Sequence, residues 1–139
     1  SHYHCLLAGV PSADVLAAIL AGRSITLTFP DHRVISSAIV GGILPIVVGM
    51  AMGLRRSGSQ ALVHCFVGDM TAMTGAYHEV TTYARRQDLP IIFIIENNRY
   101  SVMTNTQEAW GMSPGVCREE RYDYVLPWPH SGAGKIVEF

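Results

Sequence analysis

Two apolar runs separated by an amphipathic segment constrain the fold of this chain more than any other feature. The runs are residues 61–67 and 89–96, and residues 74–87 between them show helical periodicity. Runs that are apolar on both faces are typical of strands covered on both sides, as in a parallel sheet joined by a crossover helix. The pattern predicts an α/β fold in three layers, with a mostly parallel sheet and helices on both of its faces.

Length and composition indicate one domain that buries part of its surface against a partner. Of the 139 residues, 49% are apolar and 15% are charged, which is a light charge for an isolated small domain. We therefore expect a homo- or hetero-oligomer. The net charge is −1 and no basic stripe is present. Because nucleic-acid-binding proteins cluster Lys and Arg, no nucleic-acid partner is expected.

The cysteine pattern indicates a reducing, cytoplasmic setting. Cys5, Cys65 and Cys117 are odd in number and far apart, with no C-x-x-C pair. Neither a disulfide framework nor a zinc ribbon is predicted from them. The first residues lack the basic and apolar regions of a signal peptide. The chain begins without Met, so we expect a fragment or a processed protein.

Two helices are predicted in the first half of the chain. The first is short, with Ser12 as its cap and Gly22 at its end. Residues 34–54 carry no charge, so their length admits a membrane span. The alternative is a helix from about Pro45 to Arg56, buried at a subunit interface. We favour the buried helix because a βαβ pattern follows it, and we expect no membrane partner.

Polar residues follow both predicted strands, at the sheet edge where ligands bind in open parallel sheets. Gly68 and Asp69 come after the first strand, and residues 96–100, with the sequence ENNRY, end the second. Carboxylate, amide and carbonyl oxygens suit Mg²⁺, and the N–H groups that start the next helix suit a phosphate. The clusters predict an Mg²⁺-diphosphate site. Asp69 as a helix cap and Asn97-Asn98 as a simple turn are the alternatives.

The segment that begins at Gly68 resembles the alpha subunit of the thiamine-dependent first component of 2-oxo acid dehydrogenase complexes. The resemblance rests on the spacing between Asp69 and Asn98 and on the sequence GDMTAMTGAYHEVTTYARRQDLPIIFIIENNRYSVMT. It continues upstream through SSAIVGGILPIVVGMAMGL, similar to the family's glycine-rich segment and interface helix, and covers residues 1–111. It implies the thiamine diphosphate-binding fold, with thiamine diphosphate and Mg²⁺ as cofactors.

The resemblance also implies which residues hold the cofactor. They lie in an upstream loop and at the two strand ends, and they are Ala38, Ile39, Val40, Gly68, Asp69, Met70, Thr71 and Asn98. The implied metal ligands are the side chains of Asp69 and Asn98 and the backbone carbonyl of Tyr100. The amides of Met70 and Thr71 would meet the diphosphate.

The upstream loop is implied to serve the other end of the cofactor. By resemblance, the backbone around Ala38 and Val40 touches the aminopyrimidine. Ile39 or Val40 would also support the bent conformation of the cofactor.

The chain departs from the family pattern in three places. The third glycine of the motif is Met70 here, which adds bulk beside the diphosphate. The family's loop with an active-site His and regulatory Ser residues has no counterpart after Gly111. The family's diphosphate-gripping Arg and N-terminal helices precede the first residue of this chain. We therefore predict that residues 1–139 are a single diphosphate-side domain without its N-terminal helices.

The implied activity is oxidative decarboxylation of a 2-oxo acid. In the family, a carboxylate of a beta-type subunit assists the aminopyrimidine, and Glu79 of this chain is predicted to be structural instead. A beta-type partner that completes the active site is therefore expected. The alternatives are a split transketolase-like lyase or transferase subunit and a degenerate scaffold subunit.

Three histidines are further catalytic candidates. His2 and His4 alternate as on a strand, and His32 precedes the cofactor loop; polar packing is the alternative for each. His64 is predicted to be a core histidine on a buried strand. Residues 131–135, SGAGK, lack the complete phosphate-loop motif.

Overall fold

The computed structural model describes residues 2–111 and, as backbone alone, residues 119–123. Contacts divide the chain into two compact units, Ser1–Ile43 and Leu44–Phe139. Each unit has its own elements and its own buried residues.

Two helices and a small antiparallel pair of strands form the first unit. The elements are α1 (His2–Leu7), α2 (Ser12–Leu20), β1 (Thr28–Phe29), a 3-10 turn (Pro30–His32) and β2 (Val34–Ile35). α1 packs against α2. The apolar side chains buried together in this unit are Cys5, Val10, Val15, Ala18 and Leu27.

Two local predictions for this unit are wrong and one is confirmed. His2 and His4 lie on helix α1 rather than on a strand, because two residues are too few to define a strand period. Ser12 is the first helical residue, preceded by Pro11, and no side chain caps this end. Gly22 follows the end of α2 with φ +80, the left-handed conformation that glycine adopts readily after helices.

The uncharged segment forms one helix of 14 residues, α3 (Ile43–Arg56). Pro45 lies in its first turn, where a missing N–H interrupts no intrahelical bond. The buried side chains recur every three or four residues and are Leu44, Val47, Val48 and Ala51. Ile46 and Met50 on the other side are exposed. Within the described residues, no helix is long and apolar enough to cross a membrane.

The predicted βαβ arrangement is present in the second unit. Its elements after α3 are β3 (Val63–Gly68), α4 (Asp69–Ala72), α5 (Gly75–Arg86), β4 (Ile91–Asn97), β5 (Tyr100–Ser101), β6 (Thr104–Asn105), α6 (Thr106–Trp110) and β7 (Glu119–Asp123). β3 and β4 pair in parallel, β4 and β7 also pair in parallel, and the order is β3-β4-β7. β5 and β6 form a separate antiparallel pair. The chain is therefore a mixed α/β structure with one parallel sheet in its described part.

The sequence does not predict β7. Its residues, EERYD, are mostly charged and lack the apolar run that marks the other two strands. The SGAGK segment lies outside the described residues.

Burial along β3 corrects the expectation that both of its faces are covered. Cys65 and Val67 are buried, whereas His64 is exposed and Phe66 is 40% exposed. β3 is the end strand of the described sheet, and its face with His64 and Phe66 is more exposed than its face with Cys65 and Val67. His64 is consequently not a core histidine. β4, which has a strand on each side, buries residues 93–95 in succession.

Candidate magnesium and diphosphate site

Asp69 is a buried carboxylate at the end of β3. Its side chain is 1% exposed, and its Oδ2 atom has no hydrogen-bond partner among the described residues. A buried carboxylate oxygen without a partner is costly, and native structures rarely keep one without a reason. A bound cation offsets this cost. The orphaned oxygen therefore fits the metal ligand implied by the sequence.

Asp69 does not cap the helix that follows the motif. It is the first residue of the short helix α4, after Gly68. The longer helix α5 has its own cap, since the Thr74 hydroxyl accepts a hydrogen bond from the Tyr77 N–H at 3.3 Å. The side chain of Asp69 thus does not cap α5. The short helix α4, which precedes the predicted helix over residues 74–87, was not predicted from the sequence.

The two asparagines at the end of β4 form a tight turn. The Asn97 Oδ1 accepts a hydrogen bond from the Arg99 N–H at 3.2 Å, and the Asn98 Oδ1 accepts one from the Tyr100 N–H at 2.9 Å. Arg99 adopts φ +65, in the left-handed region. The turn interpretation is therefore correct. It does not exclude a metal ligand, because an amide oxygen has two lone pairs and the turn uses one.

Sheet register brings the two clusters to one edge. Gly68 is the register partner of Glu96, so Asp69 and Asn97 leave neighbouring strands at the same end. α4 contacts β3, β4 and β5. In the described ranges, no group of three or more His, Cys, Asp or Glu side chains is placed to hold a metal. A metal bound by Asp69 would therefore need amide or carbonyl oxygens, such as those that follow β4.

The backbone around Gly68 leaves space beside Asp69. Gly68 has φ −71 and ψ 156, and a Cβ added there would meet no atom within 4 Å. Met70 and Thr71 lie in the first turn of α4, where backbone N–H groups have no intrahelical acceptor. These N–H groups are suited to an anion such as the diphosphate.

Trp110 is the residue that sequence reasoning missed. Its indole Nε1–H donates a hydrogen bond to the Sδ atom of Met70 at 2.9 Å. Trp110 is 48% exposed. No local pattern could reveal this contact, because the two residues are 40 positions apart.

Thr106 was also not predicted. Its side chain is 2% exposed, and its hydroxyl has no hydrogen-bond partner in the described part of the chain. Its backbone N–H donates to the Arg99 carbonyl oxygen at 2.9 Å. Thr106 thus carries a second buried oxygen without a described partner, and its backbone is hydrogen-bonded to the turn after β4.

The predicted aminopyrimidine loop is a turn in the first unit. The Ile39 N–H donates to the Ser37 Oγ at 3.2 Å, and the Gly42 N–H donates to the Ile39 carbonyl at 2.9 Å. A Cβ on Gly42 would lie 2.9 Å from the Cβ of Ile39, so this turn requires glycine there. Ala38 is exposed, and Ile39 and Val40 are 73% and 68% exposed. The loop therefore presents exposed apolar side chains, as expected of a surface that binds a ligand or a partner.

The three candidate catalytic histidines all lie in the first unit. The His2 Nε2 donates a hydrogen bond to the Ser24 carbonyl oxygen, which supports polar packing for this residue. His4 is half-buried on α1, and His32 is half-buried in the 3-10 turn. Their predicted contact with substrate stays a prediction.

The two described cysteines are free and buried. Burial raises the pKa of Cys65 to about 12. Burial also raises the pKa of Cys5, against smaller opposing effects of the N-terminal charge and a backbone hydrogen bond. Because the thiolate is the reactive form, neither thiol is suited to act as a nucleophile at neutral pH.

A surface depression of about 400 Å³ lies elsewhere in the second unit. Its lining residues come from α3, α5 and the segment after α5, and they are Met52, Arg55, Arg56, Tyr83, Gln87 and Leu89. None of them belongs to the predicted site. The candidate site is therefore defined by Asp69 and the turn after β4 rather than by a deep pocket.

Residues 20–118 match the family described as "Dehydrogenase E1 component". The chain belongs to this family. The pyruvate dehydrogenase E1 component subunit alpha of Rickettsia typhi is 30% identical to it over 118 residues, which cover 78% of this chain and 36% of the relative. The subunit of the same name from Rickettsia prowazekii is 32% identical over 114 residues, covering 75% and 35%. That from Bacillus subtilis is 32% identical over 79 residues, covering 56% and 21%.

These matches confirm the resemblance found in the sequence. The family match includes the loop at Ala38 and the strand-end residues Asp69, Asn98 and Tyr100, whereas His2 and His4 lie outside it. This E1-family chain spans about a third of the length of the two rickettsial relatives.

Proposed function

We propose that this E1-family chain is the alpha-type part of an enzyme that decarboxylates a 2-oxo acid oxidatively with thiamine diphosphate and Mg²⁺. The observation that carries the proposal is the buried Asp69, whose Oδ2 has no partner among the described residues. It stands at the carboxyl end of β3, beside the residues that end β4, and within the part of the chain that matches the family.

Three oxygens would hold Mg²⁺ in this proposal. Asp69 supplies the charge, Asn98 the second lone pair of its amide oxygen, and Tyr100 its backbone carbonyl. Hard oxygen ligands of this kind leave positions on Mg²⁺ for phosphate and water. Gly68 leaves room for the diphosphate, and the N–H groups of Met70 and Thr71 donate to it.

The remaining predicted residues would serve the aminopyrimidine end. The backbone at Ala38 and Val40 binds the ring, and the Ile39 or Val40 side chain supports the bent cofactor. When bound, thiamine diphosphate supplies the carbanion-stabilising chemistry. The chain's own contribution is to bind and orient it. His2, His4 and His32 are kept as candidates for substrate contact.

Completion of the active site would need a beta-type partner. The exposed Ile39 and Val40 and the exposed side of α3, which includes Ile46 and Met50, support burial against another chain. In the assembled protein, residues 1–139 would form the diphosphate-side domain of a three-layer thiamine diphosphate-binding fold. The cytoplasmic setting indicated by the cysteines is part of the same proposal.

A degenerate scaffold subunit is the second candidate, and Met70 is the observation that favours it. A glycine in the family motif has become a bulky side chain beside the diphosphate position. Catalysis and scaffolding differ in one measurable property, which is cofactor binding by the assembled protein.

Calorimetry with thiamine diphosphate and Mg²⁺ on the full chain with its co-purified partner tests the proposal. We expect Mg²⁺-dependent binding that Asp69→Asn weakens at least about tenfold, since a buried charge-assisted ligand is removed at constant shape. Asp14→Asn, the same change at an exposed position on α2, is the control and should leave the affinity unchanged. Absence of binding by the unsubstituted complex would favour the scaffold. Equal affinity of the Asp69→Asn complex would remove Asp69 from the metal.

A further inference from the structure

Trp110 and Met70 join the two arms of the proposed metal site. One arm is α4, which begins with Asp69, and the other is the turn that carries Asn98 and Tyr100. The indole N–H of Trp110 donates to the Met70 Sδ at 2.9 Å. We propose that Trp110 is a positioning residue, which holds the Met70 side chain in one place and ties α4 to α6. This inference rests on the proposed function.

α6 is firmly attached to the turn arm. The Asn105 Oδ1 caps the helix by accepting from the N–H groups of Gln107 at 2.9 Å and Glu108 at 3.1 Å. The Thr106 N–H donates to the Arg99 carbonyl at 2.9 Å. One end of α6 is therefore bonded to the turn after β4, and Trp110 at the other end reaches α4. α6 therefore connects the turn after β4 to α4.

The side chain of Met70 needs a restraint that the glycine of the family motif, which has no side chain, does not need. A methionine side chain has three rotatable bonds, and Met70 stands in the first turn of a four-residue helix. If its side chain were free, it would sample positions over the N–H groups that are proposed to meet the diphosphate. A hydrogen bond to the thioether selects one arrangement. A ligand site held within about 0.5 Å also needs supporting residues of this kind.

The thioether–indole pair can be tested from both sides. Trp110→Phe keeps an aromatic ring and removes the donor, and Met70→Leu keeps the bulk and removes the acceptor. In the full chain with its partner, each change should weaken binding of thiamine diphosphate with Mg²⁺ about fivefold, as expected for one modest hydrogen bond. The double variant should lose no more than either single variant. Unchanged affinity of Trp110→Phe, or losses that simply add, would overturn the proposal.

Met70→Gly provides the matched background. Without a side chain at position 70 there is nothing for the indole to hold, so adding Trp110→Phe should not change cofactor affinity. A loss of similar size in this background would show that Trp110 acts through another contact and would overturn the proposal. It would also reveal any effect of Trp110→Phe that comes from folding alone.

Two readouts without cofactor separate this inference from the proposed function. With 5-fluorotryptophan in the chain, the ¹⁹F resonance that Trp110→Phe removes should shift in Met70→Leu. Amide hydrogen exchange in residues 69–72 should accelerate about fivefold in either variant, because α4 opens more often. If the unsubstituted complex binds no cofactor, the proposed function fails, and these readouts still decide the positioning role. An unmoved resonance with unchanged exchange would reject it.

Discussion

Gly68, the last residue of β3, is the register partner of Glu96, the last but one residue of β4, so the carboxyl ends of the two strands lie side by side. The residues that follow this pair are Asp69 and Asn97, both nearly completely buried. Because the backbone fixes this register, the spacing of the two polar clusters depends on main-chain hydrogen bonds rather than on flexible side chains. The candidate site is therefore positioned by the main chain of the parallel sheet.

Gly68→Ala should separate cofactor binding from folding. Its φ of −71 is open to alanine, and the added methyl group meets no described atom within 4 Å. We expect the free energy of unfolding without cofactor to rise by about 0.5 kcal/mol. If the diphosphate lies against Gly68, affinity for thiamine diphosphate with Mg²⁺ should fall at least about tenfold, because the methyl group takes its space. Urea unfolding and calorimetry measure the two quantities.

Gly53→Ala is the matched control for this experiment. Gly53 lies on α3, and a Cβ there also meets no atom within 4 Å. It should raise stability by up to about 1 kcal/mol through helix propensity, which shows the effect of an added methyl group on folding alone. Cofactor affinity of Gly68→Ala equal to that of the unsubstituted protein would place the diphosphate elsewhere.

Val102→Gly should stabilise the β5–β6 pair. Ser101 is the register partner of Thr104, so Val102 and Met103 make a two-residue connection, and Val102 has φ +54. A β-branched residue is strained in this region, and the first position of such a turn favours glycine. Val102 is 66% exposed, so little burial is lost. We expect the free energy of unfolding to increase by about 1 kcal/mol.

Val102→Ala distinguishes strain relief from loss of the valine side chain. Alanine keeps the Cβ atom that clashes at positive φ, so its stability in urea unfolding should stay close to that of the unsubstituted chain. A gain as large as that of glycine would show that backbone strain is not the cause.

Cys65 should make the fold sensitive to alkali. Burial raises its pKa from 9.0 to about 12. Between pH 9 and pH 12 the thiol is therefore deprotonated in the unfolded chain and still protonated in the folded chain. The unfolded state then binds fewer protons, and stability falls as pH rises, by about 1.4 kcal/mol per pH unit inside this window. Below pH 9 the thiol has no effect of this kind.

Cys65→Ala should flatten the alkaline part of the stability curve. The free energy of unfolding of both proteins is measured in urea at pH 8, 9, 10 and 11. Because tyrosine and lysine residues titrate in both proteins, the difference between the two curves reports on Cys65. The variant is expected to start lower, by about 1 kcal/mol, because a small cavity forms. Parallel curves above pH 9 would contradict the shifted pKa.

The sequence predicts the elements whose signals are local. The apolar runs of β3 and β4 and the amphipathic α5 are recognisable from neighbouring residues, and the strand-end position of Asp69 follows from them. β7 has no such signal, because its pairing with β4 is made by backbone atoms of a charged segment. The exposure of His64 also could not be predicted, since it depends on what covers the outer face of β3.

The contacts of Met70 lie beyond any local pattern. The sequence marks the residue as an unusual side chain in the motif, yet its partner comes from a helix after three further strands. The turn over Asn97 and Asn98 shows a different limit. The turn was foreseeable, and its hydrogen bonds show which amide oxygens it uses, whereas the role of Asn98 as a metal ligand stays a prediction.

The Met70–Trp110 hydrogen bond joins residues that lie 40 positions apart in the sequence. It connects the helix that follows β3 to the helix that follows β6. A truncation that ends before residue 110 would therefore keep β3, α4 and β4 in full and still remove this contact from Met70.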